Sequence, residues 1–145
     1  MIIGLIPARL ASTRLPNKPL RKLDGESING HNLKRALKSK KLDKIVVCAD
    51  DKKIANEVSR YGQETFMTNK NIKNGTERIA TFLEHNNSLN KNLKLVVDIQ
   101  CDEVFLNPRY LDKIINFKLK NLDNFDVVIP HSLTNESNNK NYVKI

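Results

Sequence analysis

An open, mostly parallel α/β sheet covered by helices, Rossmann-like in plan, is the fold class that this 145-residue sequence predicts. Three observations carry that expectation. Short β-branched or apolar runs alternate with stretches of helical spacing along the chain, which is the order of βαβ units. The runs are apolar throughout rather than every second residue, as strands buried on both faces require. The segments that follow them are polar or rich in small residues, as loops at the carboxyl edge of such a sheet are.

Taken in order, "IIGLI" (2–6), "KIVVCA" (44–49), "ETFM" (64–67), "LKLVVDI" (93–99) and "DVVIP" (126–130) read as strands. Between them "GHNLKRALKS" (30–39), "KKIANEVSRYG" (52–62, closed by Gly62), "GTERIATFLEHN" (75–86) and "PRYLDKIINFKLK" (108–120, with Pro108 in the first turn) read as helices. The Asn-rich piece 135–141 reads as a loop, and "YVKI" (142–145) as the start of a further strand. Residues 1–145 thus read as one nucleotide-binding domain that is incomplete at its C-terminal end. Ligands of such sheets bind beyond the carboxyl ends of the strands, which directs attention to residues 7–19, 50–51, 68–76 and 100–105.

Composition narrows the classes. The opening "MIIGLIPARL" has no basic leader and is interrupted at Pro7 and Arg9, and no later window is apolar for the length of a bilayer. The expectation is a cytoplasmic protein with no membrane partner. Cys48 and Cys101 are the only cysteines and have no CxxC spacing, so they read as buried free thiols rather than a zinc site or disulfide. A formal charge of +9 suggests an anionic partner, but much of it lies in "KRALKSKKLDK" (34–44), whose cations point in many directions and read as a solvated helix end.

The most informative stretch is "LIPARLASTRLPNKPL" (5–20). It holds neither a P-loop nor a dinucleotide fingerprint. Instead Ala8, Ala11, Ser12 and Thr13 are small enough for a ligand to approach the backbone, while Arg9, Arg14 and Lys18 offer charge to several phosphates. Pro16 and Pro19 bracket Lys18 and restrict the chain around it. A nucleoside triphosphate suits this arrangement, and a basic surface turn is the plain alternative. Asp102 after the fourth strand could ligate a hard cation or cap a helix. Asn74 to Thr76 could face an acceptor-rich ligand or simply cap the helix that follows. Asp50 could orient the loop cations or cap the helix from Lys52, and His31 reads as structural.

The segment "IPARLASTRLPNKPL" resembles the opening signature of the sugar-acid cytidylyltransferases, IPAR-x-x-STRLPGKPL, and in particular the branch that makes CMP-Kdo, the 3-deoxy-manno-octulosonate cytidylyltransferases. Further matches follow in the family's order: "DG" (24–25), His31, "VCAD" (47–50), "MT" (67–68), "NGTERIA" (74–80), "DIQCDEV" (98–104) and "NYVKI" (141–145). The resemblance implies the nucleotide-diphospho-sugar transferase fold, truncated here, and transfer of CMP from CTP to 3-deoxy-D-manno-octulosonate (Kdo), with release of pyrophosphate, for lipopolysaccharide assembly. It implies Mg²⁺ on Asp102, nucleotide binding by Ala8, Arg9, Arg14, Lys18, Asn74 and Gly75, catalysis through Arg14 and Lys18, and Gln100 near the sugar acid. It also implies a homodimer for the full-length family member.

Four positions depart from the pattern. Asn17 and Cys101 stand where the family has Gly, Val104 where it has Pro, and Asn74 where it has Ser. The family also extends past Ile145, with a second metal-binding Asp and most of the sugar-acid pocket in that part. The alternatives are a cytidylyltransferase for another sugar acid, an inactive CTP-binding fragment, or a basic nucleic-acid-binding domain. The last needs aromatic platforms beside its cations, and aromatics make up only 6% of this chain, mostly at core-like positions. No nucleic-acid partner is expected.

Overall fold

A computed structural model describes residues 1–11 and 15–131. Its central sheet has four parallel strands, β1 (Ile2–Ala8), β4 (Lys44–Ala49), β5 (Glu64–Met67) and β6 (Leu95–Asp98), in the order β5-β4-β1-β6. Two further short strands, β2 (Lys22–Leu23) and β3 (Glu26–Ser27), form a separate antiparallel hairpin. The helices are α1 (Ile28–Ala36), α2 (Lys52–Ser59), α3 (Gly75–His85), the short α4 (Asn87–Asn90) and α5 (Pro108–Lys120). Among the described residues no helix is long and apolar enough to cross a membrane.

The continuous apolar runs give β1 and β4 two buried faces, and successive residues go to opposite ones. Ile6, Ala8, Val47 and Ala49 pack with Leu33, Ile54, Val58 and Ile115, while Ile3, Leu5, Val46 and Cys48 pack with Ile79 and Phe82 of α3. Two successive crossovers carry the chain outward from β1 to β4 and β5, and the next returns it across the sheet to β6 on the other side of β1. This reversal places a topological switch point beside β1, where the loops after β1 and β6 separate and leave a crevice.

The expected strands at 44–49 and 64–67 form with those bounds, and the helix at 108–120 likewise. Other boundaries move for local reasons. Strand β1 runs through Pro7 to Ala8, and its ladder with β6 ends at Leu5, so the missing proline N–H costs no bond on that side. Helix α1 starts two residues early because Ser27 caps it, its Oγ accepting from the Gly30 N–H at 2.9 Å. The hairpin turns at Asp24 and Gly25, both at positive φ (49° and 78°), the pattern that an Asp-Gly pair favours between two short strands.

The expected strand at 126–130 does not form. This segment and β6 both line a groove of about 700 Å³, with Val97, Ile99, Tyr110 and Ile115 among its walls, and among the described residues no ladder joins the two. Val127 and Ile129 remain exposed. The expected strand start at 142–145 lies outside the described residues.

Helix α1 carries two fully buried amides. Asn32 donates to the Gln100 and Glu103 carbonyls at 3.0 and 3.2 Å, whereas neither polar atom of the Asn29 side chain has a partner among the described residues. An unsatisfied buried amide costs about 1–3 kcal/mol, and leucine keeps asparagine's branched heavy-atom skeleton without its polar atoms and is a better helix former. Asn29→Leu is therefore expected to raise the urea midpoint of unfolding by the equivalent of about 1–3 kcal/mol. A lowered midpoint would mean that the Asn29 amide is satisfied.

Candidate functional site

The carboxyl ends of β1, β4, β5 and β6 gather the loops that the sequence singles out. From the end of β1 the chain turns outward at Arg9, and Leu10 is fixed by its N–H, which donates to Asp50 Oδ1 at 2.9 Å. The loop closes on itself where the Asn17 N–H meets the Leu10 carbonyl at 3.3 Å. Asn17 sits at φ 57°, in the left-handed region, so asparagine here meets the backbone demand that the family meets with glycine. A 3-10 turn over Lys18–Leu20 follows, with Pro19 buried beneath it, and projects Lys18 across the switch point.

There Lys18 Nζ forms an ion pair with Asp102. Both side chains are about two-fifths exposed, at 36% and 40%, so the pair is open to solvent and to a competing ligand. Asp102 lies in a tight turn after β6, in which the Glu103 N–H donates to the Gln100 carbonyl at 3.1 Å and the Val104 N–H to the Asp102 carbonyl at 3.0 Å. A proline at position 104 could not make that second bond. Cys101 has no positive φ, so its side chain is accommodated without backbone strain. Gln100 donates to Asp98 Oδ1 at 3.0 Å, and burial raises the pKa of that Asp98 carboxyl.

The third component is the start of α3. Asn74 caps the helix: its Oδ1 accepts from the Glu77 N–H at 2.8 Å, and its Nδ2 donates back to Glu77 Oε1 at 2.8 Å. Gly75 sits against Pro7, where an added Cβ would come within 3.0 Å of the proline ring. The absence of a side chain lets the helix N-terminus close on the end of β1. Arg9 spans the gap directly, donating from Nη1 to the Lys73 carbonyl at 3.0 Å.

Of the residues expected at the site, Arg9, Lys18, Asn74, Gly75, Gln100 and Asp102 thus lie on the loops at this one edge. Ala8 is wholly buried and packs beneath the loop, and Arg14 lies outside the described residues. Neither reading of Asp50 is met by the described residues: Asp51 caps α2, accepting from the Lys53 N–H at 2.9 Å, and Asp50 takes the Leu10 backbone N–H and pairs with Arg78 of α3 rather than with a described loop cation. His31 is held by the Leu23 carbonyl at 2.7 Å, away from the switch point. Sequence reading missed Arg78, which is 1% exposed and paired with Asp50 at 3.5 Å. A charged residue on the buried face of an otherwise apolar helix stripe, 79 and 82 being core, was the signal available.

The site combines a cationic loop, a helix N-terminus and the exposed Asp102 carboxylate, the set that a polyphosphate ligand with a hard cation would use. The sequence matches the family described as cytidylyltransferase over residues 3–144, and the chain belongs to that family. The 3-deoxy-manno-octulosonate cytidylyltransferase of Fusobacterium nucleatum is 37% identical over 99% of this chain and 57% of its own length; that of Chlamydia pneumoniae is 36% identical over 94% and 52%. A solved structure of CMP:2-keto-3-deoxy-manno-octonic acid synthetase complexed with CTP superimposes with a TM-score of 0.74 at 25% identity, over 83% of this chain and 48% of that one. A cytidylyltransferase from Leptospira borgpetersenii gives 0.70, also at 25% identity, over 83% and 49%. The chain spans about half the length of the curated relatives it matches.

Both thiols are withdrawn from chemistry. Burial pushes the Cys48 pKa up to about 12 and that of Cys101, beside the Asp102 carboxylate, up to about 11. At pH 8 no more than about a thousandth of either is thiolate. Reaction with Ellman's reagent at pH 8 is expected to be at least about a hundredfold slower in the native protein than in urea. Native labelling at the unfolded rate would show that Cys101 is open beside Asp102.

Proposed function

We propose that this chain is the CTP-binding portion of a 3-deoxy-manno-octulosonate cytidylyltransferase, which couples CTP and Kdo to CMP-Kdo and pyrophosphate. The observation that carries the reading is the meeting of Lys18 and Asp102 across the switch point, between the cationic loop and the turn after β6. The similarity to relatives named for this reaction, and to a neighbour solved with CTP, supports the same assignment.

In this reading Arg9, Asn74 and Gly75 hold the nucleotide, with Ala8 supporting the loop from below, and Gln100 lies on the side of the sugar acid. The anomeric hydroxyl of Kdo attacks the α-phosphorus in line; the new C–O–P linkage forms as the bond from the α-phosphorus to the bridging oxygen breaks, pyrophosphate leaves with that electron pair, and the hydroxyl proton is released to solvent. Lys18 and Arg14 balance the charge that builds on the triphosphate and the leaving group, so the protein's contribution is positioning and electrostatic stabilisation rather than covalent catalysis.

A divalent ion, Mg²⁺ in this proposal, fits Asp102. Among the described residues no group of three or more His, Cys, Asp or Glu side chains is placed to cage a metal, and the exposed Asp102 carboxylate suits an ion that draws its other ligands from phosphate and water. When bound, such an ion supplies charge neutralisation at the phosphates. Lys18 must then leave Asp102, and the phosphates are its natural next partner. The proposal extends to residues 1–145 as the nucleotide-binding part of a longer cytoplasmic homodimer acting in lipopolysaccharide assembly, with CTP and Kdo as partners and no nucleic acid.

Thermal protection tests the reading, because only a bound ligand shifts the folding equilibrium. With Mg²⁺ present, CTP is expected to raise the melting temperature more than ATP or GTP at equal concentration; equal protection by all three would remove the cytidine assignment. Lys18→Ala removes a charge-assisted phosphate contact and is expected to weaken CTP binding by about 1.5–3 kcal/mol, whereas Lys41→Ala, exposed after α1, leaves it unchanged. Equal loss in both variants would mean that the loop does not hold the triphosphate.

A further inference from the structure

Arg78 lies on the buried face of α3, one helical turn below the cap that starts the helix, and makes its contacts upward into the segment between β5 and α3. Its Nη1 donates to Thr68 Oγ1 and, at 3.4 Å, to the Asn69 carbonyl; its Nη2 donates to the Ile72 carbonyl at 3.3 Å and to Asp50 Oδ2 at 3.5 Å. Thr68 is itself pinned to the end of β4, its N–H and Oγ1 both donating to the Ala49 carbonyl at 2.7 and 3.0 Å. A single guanidinium thus gathers two main-chain carbonyls and a hydroxyl of residues 68–72. Through Asp50, whose other oxygen takes the Leu10 N–H at 2.9 Å, it joins them to the first loop.

The planar fork of arginine fixes several acceptors at once in set directions, which an ammonium cannot do. The segment it shapes leads directly into Asn74 and Gly75, and it is also where Arg9 ends, on the Lys73 carbonyl. We infer that Arg78 is a positioning residue for base recognition: it touches no ligand, but it sets the path of residues 68–74 and thereby the wall against which the nucleotide base lies. This inference rests on the proposed reading that Asn74 and Gly75 face the base.

Arg78→Lys is the informative variant, because it keeps a cation beside Asp50, so that the acceptor for Leu10 is retained, while it gives up the fork. The probes are CTP, ATP and inorganic tripolyphosphate, each titrated calorimetrically with Mg²⁺ at a temperature where circular dichroism shows the variant folded. Tripolyphosphate reads the cationic loop alone; CTP reads loop and base wall together.

The expected result is a CTP affinity lowered about tenfold, to the level of ATP, with tripolyphosphate affinity within about twofold of the parent protein. Should Arg78→Lys fail to fold, Thr68→Val removes one acceptor of the fork without adding bulk, and a loss of CTP preference of at least about threefold is expected there. A purely structural Arg78 would lower the melting temperature and leave the ratio of CTP to ATP affinity untouched in whichever variant folds, and that result overturns the inference while the cytidine reading stands. A parent protein that binds CTP and ATP equally would instead overturn the cytidine reading itself, and this inference with it.

Discussion

Removing two opposite charges from water is costly unless each finds its partner and the remaining polar valences are filled. Asp50 and Arg78 satisfy both conditions at the centre of the carboxyl edge, with side chains only 4% and 2% exposed. The carboxylate spends its second oxygen on the Leu10 N–H, and the guanidinium's two Nη groups also donate to Thr68, Asn69 and Ile72. These partners lie on two sides of the site, so the pair ties the loop after β1 to the segment after β5 that leads into α3. A pair of apolar side chains could fill the same volume, but would leave the Leu10 amide and two carbonyls to find other partners.

That anchoring gives the exposed ion pair of Lys18 and Asp102 its meaning. The fold brings the two together because the chain order reverses beside β1, which opens the crevice between the loops after β1 and β6. A solvent-exposed pair contributes little to stability and is released cheaply. A rigid base of buried charge beneath an exchangeable pair above suits the proposed binding of a polyanion with its cation, because the parts that hold shape are separate from the parts that change partner.

Much of this was legible in the sequence, and the limits of what was legible are physical. Strands β4 and β5 and helix α5 were readable because their apolar patterns are locally complete. Ser27 as a cap and the Asp-Gly turn of the β2–β3 hairpin were present as local signals but were overlooked beside the stronger helical pattern that follows. The partner of Asp50 could not be read at all: two adjacent aspartates before α2 offer the same cap, and only tertiary contact decides that Asp51 takes it and Asp50 faces Arg78. The segment 126–130 has strand-like composition, but a strand is made by its neighbour, and among the described residues no ladder joins it to β6. Asn29 is fully buried, where an amide side chain is seldom found, and no local pattern marks it.

The proposed reading, cytidylyl transfer to a sugar acid, can be tested directly on the protein that bears this chain. Pyrophosphate release is followed with CTP and Mg²⁺, with and without Kdo, and with ATP in place of CTP. The account predicts release that requires both CTP and Kdo, accompanied by an equal amount of CMP-Kdo, and none from ATP. Release that proceeds equally well without Kdo, or equally well from ATP, would contradict it.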